Sequence, residues 1–166
     1  IHDYRKPYVG EDPAFGVVNQ HGKLEDLVDP KRQSELLRAL RAQRRNAGEA
    51  DVLLVYGPGA TLPALEKAYT ACFYFDFTMQ PMLWQMWDGE LVPLGCEKPD
   101  LDYFWKMYYY CDFYLLYRHK KRALARMDYY VDAVEATNPK LLPRQVYQAM
   151  VAALVRQPIK QVKIMP

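Results

Sequence analysis

The chain of 166 residues has no long hydrophobic run, few cysteines and almost no excess of charge of either sign. No apolar stretch approaches the roughly 20 residues that cross a bilayer, so a membrane partner is not expected. Three cysteines at wide spacing predict reduced thiols in a cytoplasmic protein rather than a disulfide framework. With 22 basic and 20 acidic side chains the net charge is +2, which gives no reason to expect nucleic acid as a partner.

Several common types of site are also missing from the sequence. The three histidines, His2, His21 and His119, are scattered and form no Cys/His spacing suited to zinc. No Ser-His-Asp pattern and no nucleophile elbow is present. The sequence therefore predicts no metal ligands and leaves enzymatic activity open.

Tyrosine is abundant, with 14 copies, many of them between Tyr103 and Tyr130. Two interpretations stay open for them. The rings can fill a core and its rim with their hydroxyls at the edge, or they can form a stacking or sugar-binding surface. Their strand-like neighbours favour the core.

Helix and strand patterns alternate along the chain without an internal repeat. Asp29-Pro30 predicts the start of a helix that ends at Gly48. A short helix or an irregular link is predicted at 62–69. The later helices are predicted at 79–87, 117–127 and 142–157, and the strands at 51–56, 71–77, 105–116, 128–135 and 159–165. This order predicts a three-layer α/β domain over residues 31–166, with a mostly parallel sheet flanked by helices, after an N-terminal arm or edge strand over residues 1–30.

A glycine turn, Gly57-Pro58-Gly59-Ala60-Thr61, follows the apolar run Asp51–Tyr56. A phosphate loop needs backbone N–H groups, a lysine and a Ser or Thr hydroxyl in the pattern G-x-x-x-x-G-K-[ST]. The lysine is missing here, and Pro58 removes one backbone donor. Gly57, Gly59 and Thr61 stay candidates for weak phosphate binding through the remaining N–H groups and the hydroxyl.

Charged residues near predicted strand ends supply the other candidates. Asp76 and Asp112 are placed where a magnesium ligand or a general base would lie, although strand-end aspartates equally cap helices. Arg118 and Arg122 share a helix face at four-residue spacing, and Arg126 continues it. Such a basic helix can close over a nucleotide, or it can be a solvated face.

The order of these pieces resembles a known family. The stretches "VLLVYGPGA", "PMLWQMW" and "YRHKKRALARMDYYVDAVEATNPKLL" resemble the amino-terminal region of bacterial class I mannose-6-phosphate isomerase-like proteins. The resemblance implies a P-loop-like domain, similar to uridine or other nucleotide kinases, in front of a downstream isomerase domain. It also implies that Gly57 and Gly59 match the loop and that Arg118 and Arg122 match a lid-like helix.

The resemblance implies a degenerate kinase-like domain that acts as a regulatory or structural module in carbohydrate metabolism. Mg-ATP or a phosphorylated sugar would be its ligand if the site survives, and a missing downstream domain its partner. An active phosphotransferase with a non-standard loop is one alternative. The other is a protein-interaction domain, including a homo-oligomer, in which Trp84, Trp87 and a tyrosine surface form an exposed apolar patch.

Overall fold

The structure, a computed structural model, describes residues 2–9 and 16–157. Short helical turns and loops connect its main elements. These elements are α1 (His2–Arg5), α2 (Pro30–Asn46), β1 (Phe73–Asp76), α3 (Met79–Trp87), α4 (Trp105–Met107), a π-helical segment (Tyr108–Asp112), α5 (Phe113–Arg126), β2 (Tyr129–Asp132), β3 (Lys140–Pro143) and α6 (Arg144–Leu154).

Helix α2 begins where the sequence predicts it. The Asp29 carboxylate accepts hydrogen bonds from the backbone N–H groups of Lys31 and Arg32, at 2.8 and 3.3 Å. Pro30 occupies the first turn, where no N–H is needed. Arg44 and Arg45 lie in the last turn and complement the helix dipole. The prediction for this helix is confirmed.

The sheet is smaller and differently connected than the sequence predicts. Within residues 2–9 and 16–157 it has three strands in the order β1-β2-β3. Strand β1 pairs parallel with β2, and β2 pairs antiparallel with β3. The prediction of a three-layer, mostly parallel, P-loop-kinase-like sheet is therefore wrong. The short connection from β2 to β3 imposes the antiparallel pairing, because parallel neighbours need a crossover of a dozen or more residues.

Two predicted strands account for much of this difference. The run 51–56 has no regular secondary structure, and most of its side chains face solvent. The run 105–116 is helical instead. The predicted strand 159–165 lies outside the described residues. By contrast, the strand predicted at 71–77 is confirmed as β1, and the helix at 79–87 as α3.

The aromatic run is helical because its rings match a four-residue repeat. Trp105 stacks on Tyr109 with ring centroids 5.0 Å apart, Tyr109 on Phe113 at 6.0 Å, and Phe113 on Tyr117 at 5.4 Å. Residues four apart lie on one face of a helix and on one face of a strand alike, but only the helix brings them within stacking distance. We call these four residues the aromatic ladder.

The opposite face of the same helical segment forms the core. Residues on this face also follow a four-residue repeat and are buried: Met107, Cys111, Leu115, His119 and Ala123. Tyr8 and Tyr103 complete the main cluster around the first three of them. The long segment 105–126 therefore separates a packed interior from the exposed side of the ladder.

The N-terminal segment 2–9 packs onto this core. Arg5 and Tyr8 are both buried. The Arg5 guanidinium bonds the Asp112 carboxylate, with Nε to Oδ1 at 2.9 Å, and donates to the Leu94 carbonyl at 2.9 Å. One ion pair therefore ties the beginning of the chain to the π-helical segment.

Candidate functional site

The glycine turn does not connect a strand to a helix. Neither side of it carries the strand or the helix that a phosphate loop uses, and only a 3₁₀ turn, Glu66–Ala68, follows. The N–H groups of Ala60 and Leu62 donate to the carbonyls of Gly57 and Gly59, at 3.0 and 3.2 Å. These two donors are consequently used within the turn itself. Gly57 has a φ of +116°, a conformation that other residues rarely adopt.

The structure brings two of the predicted residues, Thr61 and Arg122, against a histidine. His119 lies between them on α5, with its Nε2 2.9 Å from the Thr61 Oγ1 and its Nδ1 3.5 Å from the Arg122 Nη2. In the sequence, His119 is one of three scattered histidines and is not predicted as a site residue. The signal that could have found it is its place in the buried four-residue repeat of α5.

The geometry of this trio does not suit nucleophilic catalysis. Burial, and then the positive charge of Arg122, lower the pKa of His119, so the ring is neutral near pH 7. A guanidinium only donates, so its contact leaves Nδ1 as an acceptor and places the ring proton on Nε2. The ring then donates to the Thr61 hydroxyl and cannot also remove a proton from it.

Acidic partners occupy the guanidinium of Arg122. It pairs with Glu25 at 2.6 Å and with Glu66 at 3.7 Å, and Arg126 pairs with the other Glu66 oxygen at 2.7 Å. Although burial opposes it, the hydrogen bond from Arg122 lowers the pKa of Glu25. The basic cluster is therefore a pairing network that fastens α5 to the 3₁₀ turns at 24–27 and 66–68.

Asp76 lies at the end of β1, as the sequence predicts. Its hydrogen-bond partners among the described residues are not residues of the glycine turn. The Lys120 ammonium donates to both of its carboxylate oxygens, at 2.8 and 2.9 Å, and the Tyr130 hydroxyl donates at 2.9 Å. Burial and the charge of Asp76 raise the pKa of Tyr74 and of Tyr130. Asp76 thus joins the sheet to α5.

Arg118 and Asp112 also have structural partners. The Arg118 side chain donates to the carbonyl of Gln20. Asp112 is buried within the helical segment rather than at a strand end, and it accepts from Arg5 and from the Tyr103 hydroxyl at 2.8 Å. Burial, and then the negative charge of Asp112, raise the pKa of Tyr103 above its ordinary range. The candidate residues are therefore divided among several separate contacts.

Metal and membrane sites are not found in the part of the chain that the structure describes. Within residues 2–9 and 16–157, no group of three or more His, Cys, Asp or Glu side chains is arranged to hold a metal ion. Among the same residues no helix has the length and apolar character needed to span a membrane.

One face of the sheet carries only apolar side chains. The register places Phe73, Tyr129 and Pro143 in one row across the strands and Phe75, Val131 and Leu141 in the next. Val131 in the centre is buried, but Phe75 is 63% exposed and Leu141 53% exposed. The Phe73 and Tyr129 rings stack at 4.8 Å. We call these six residues the open sheet face.

The other face of the sheet is covered by helices. Lys120 of α5 reaches Asp76 and lies 5.8 Å from the centre of the Tyr74 ring. Tyr147 of α6 stacks on Tyr130 with ring centroids 4.5 Å apart. Helices on one face of a sheet make a complete two-layer arrangement, but the second face then normally carries polar side chains, whereas here it is apolar.

Further large apolar side chains are exposed elsewhere. Trp84 and Trp87 of α3 both face solvent, as do several residues of α6. The run 52–56 is the most exposed apolar segment, with Val52 90%, Leu54 75% and Tyr56 87% accessible. Single exposed apolar residues are common, whereas contiguous apolar surface of this kind usually marks an interface.

Comparison with known proteins identifies a family. The model of a domain family of unknown function, DUF8485, matches residues 1–156, so the chain belongs to this family. No curated protein and no solved structure matches the chain. The relationship to mannose-6-phosphate isomerase-like proteins, and with it a role in carbohydrate metabolism, stays a prediction.

Proposed function

We propose that this chain is a homotypic association module in which two copies pack their open sheet faces together. The observation that carries the proposal is the uncovered apolar face of a sheet whose opposite face is already covered. Sheets bury such faces by stacking on a second layer about 10 Å away. A second copy supplies a layer of the same shape.

The chemistry of the face favours a copy of this chain over a charged partner. None of its six members carries a charge, so it offers no ion pair for an acidic or basic partner to complete. In a two-fold interface the same patch meets itself, which an uncharged apolar patch tolerates. The net charge of +2 adds little repulsion between two copies.

Sedimentation of the purified chain tests the proposal. Between about 1 μM and 100 μM we expect the mass to rise from that of a monomer to that of a dimer. Leu141→Lys introduces a charge into the open sheet face and should keep the chain monomeric over this range. Leu154→Lys is the matched control, because Leu154 is 58% exposed on α6, outside that face.

Two outcomes decide against the proposal. A wild-type chain that stays monomeric at 100 μM overturns self-association. Equal weakening by both lysine substitutions overturns the assignment to the open sheet face, because a non-specific apolar contact would respond to either change.

A further inference from the structure

The edge of β1 lacks a neighbour within the described sheet. Strand β1 pairs only with β2. The Tyr129 N–H donates to the Cys72 carbonyl at 3.1 Å, and the Ala133 N–H donates to the Asp76 carbonyl at 3.0 Å. Because alternate residues of a strand point their backbone groups to opposite sides, Phe73 and Phe75 direct theirs to the free edge. Residues 73–75 include no lysine or proline, the residues that commonly prevent an edge strand from pairing with another strand.

The run 52–56 has the sequence of a strand but no strand to pair with in the described part of the structure. Its sequence, Val-Leu-Leu-Val-Tyr, is typical of a strand that is buried on both faces. In the structure it forms no strand and is largely exposed. The chain thus contains both a strand-like segment without a sheet and a sheet edge without a strand.

We infer that residues 52–56 of one copy add as a strand to the free β1 edge of a second copy, and that the exchange is reciprocal. This inference rests on the proposed self-association and names how the two chains engage. Each sheet grows from three strands to four. Backbone hydrogen bonds at the edge provide affinity, as in other cases of strand addition. Exchange of the same segment in both directions gives a closed two-fold dimer.

The open sheet face is too small to form a standard interface by itself, so a second contact region is needed. Six side chains, of which Val131 is already buried, expose less than the roughly 800 Å² per partner of a standard interface. An added five-residue segment brings its backbone and its apolar side chains into the interface. It also extends the apolar face alongside Phe73 and Phe75, because alternate side chains of the new strand point to that side.

Two proline variants separate the donor from the acceptor. Leu54→Pro breaks the donor strand, and it should leave the monomer folded because residues 52–56 have no regular structure. Phe75→Pro removes an N–H that faces the free edge and not β2, a position where an edge strand accepts proline. Leu54→Val and Phe75→Val keep the backbone donors and serve as controls. Circular dichroism at low concentration confirms that each variant is folded.

Sedimentation of the variants, alone and mixed, tests the inference. Each proline variant alone should raise the dimer dissociation constant by about tenfold or more relative to its valine control, which also loses side-chain surface but keeps the backbone N–H. An equimolar mixture of the two proline variants should recover dimer, since one intact donor then meets one intact acceptor. That recovery distinguishes exchange between chains from docking of 52–56 onto its own β1.

The possible failures are distinct. A wild-type chain that never dimerises overturns the proposed function and this inference together. A wild-type dimer that is unaffected by Leu54→Pro leaves the proposed function standing and overturns strand addition. Loss of dimer in both variants without recovery in the mixture overturns exchange between chains.

Discussion

Asp112 is a charged residue with only 1% of its surface exposed, so its stability depends on its partners. Its carboxylate is buried and accepts hydrogen bonds from Arg5 and Tyr103. Burial, followed by the charge of Asp112, also raises the pKa of the neighbouring Cys111 to about 12, so this thiol is unreactive near neutral pH. A buried charge is tolerated only while its partners remain in place.

Replacement of Arg5 by methionine should destabilise the protein by about 3–5 kcal/mol, because it leaves the Asp112 carboxylate buried without its counter-charge. Urea denaturation measures the loss. Arg118→Met is the control, since Arg118 is exposed, and its effect should stay within about 0.5 kcal/mol. Adding Asp112→Leu to Arg5→Met should recover part of the stability. Equal losses for the two arginine variants would contradict this account.

His119 should make the protein less stable at mildly acidic pH. Its pKa is lowered in the folded state, first by burial and then by Arg122, so the unfolded chain binds a proton more readily. Stability is therefore complete above the unfolded pKa of about 6.5 and declines as the pH falls below that value. Unfolding by urea at pH 7.5 and at pH 5.5 measures the difference.

The matched variant for this pH effect is His119→Gln, which keeps an N–H donor for Thr61 but does not titrate. We expect a smaller difference in stability between the two pH values in this variant than in the wild type. His2 and His21 are present in both proteins and so cancel in the comparison. The same decline in both proteins would assign the effect to groups other than His119.

Among the elements, the helical segment 105–126 shows how a short π-helical piece keeps a side-chain repeat aligned. In an α-helix, residues four apart drift by about 40° around the axis. The wider turn of the π-helical segment Tyr108–Asp112 rotates less per residue and offsets this drift. As a result the aromatic ladder stays on one face from Trp105 to Tyr117.

Replacement of Tyr109 by leucine should cost about 1–2 kcal/mol, because it removes the stacking of this ring on both Trp105 and Phe113. Helix propensity is not the cause, since leucine is a good helix former. Urea denaturation and the near-ultraviolet circular dichroism of the aromatic residues measure the loss. Trp87→Leu, at an exposed position outside the ladder, should change the stability by less than about 0.5 kcal/mol.

Elements with local signals could be predicted from the sequence. Asp29-Pro30 marks the start of α2 through its own capping chemistry, and α3 is bounded by Asp88-Gly89. The aromatic run 105–116 predicts a strand because aromatic residues favour strands on average, whereas the four-residue repeat of its rings favours the observed helix. The segment 51–56 has strand-like residues, but no local pattern tells whether a sheet edge is available within the same chain.

The candidate site could be predicted only in part. Thr61 and Arg122 both contact His119, which lies between them, and no spacing in the sequence indicates that the packing of α5 places the histidine there. The prediction that Asp76 lies at the end of a strand is confirmed, but its partner Lys120 comes from a helix and is 44 residues away in the sequence. The open sheet face depends on the β1-β2-β3 order, and strand order is a property of the whole fold.

At the scale of the whole molecule, the domain has a helical core and a sheet that it covers on one side only. A small sheet gains stability from every apolar surface that it buries. Helices α5 and α6 cover the face that carries Tyr74 and Tyr130, and in the proposed dimer a second copy covers the other face. Folding of the sheet and association are therefore expected to be linked.

This linkage predicts that thermal stability depends on protein concentration. The midpoint of unfolding should rise by several degrees between about 1 μM and 100 μM, because the dimer is favoured by mass action and the unfolded chain is not. Differential scanning calorimetry measures the shift. Leu141→Lys should have a midpoint that does not change with concentration, and a wild-type midpoint that is also constant would contradict the linkage.

The ion pair between Arg5 and Asp112 has a consequence for the time course of synthesis. The two residues are 107 positions apart, so a growing chain exposes Arg5 long before its partner exists. At about 5–20 residues per second, a ribosome needs roughly 5 to 20 s to cover that interval. During this period the N-terminal segment has no buried acid to dock on, and Tyr8 lacks the helix that covers it. Residues 2–9 can thus reach their final place only after Asp112 has been made.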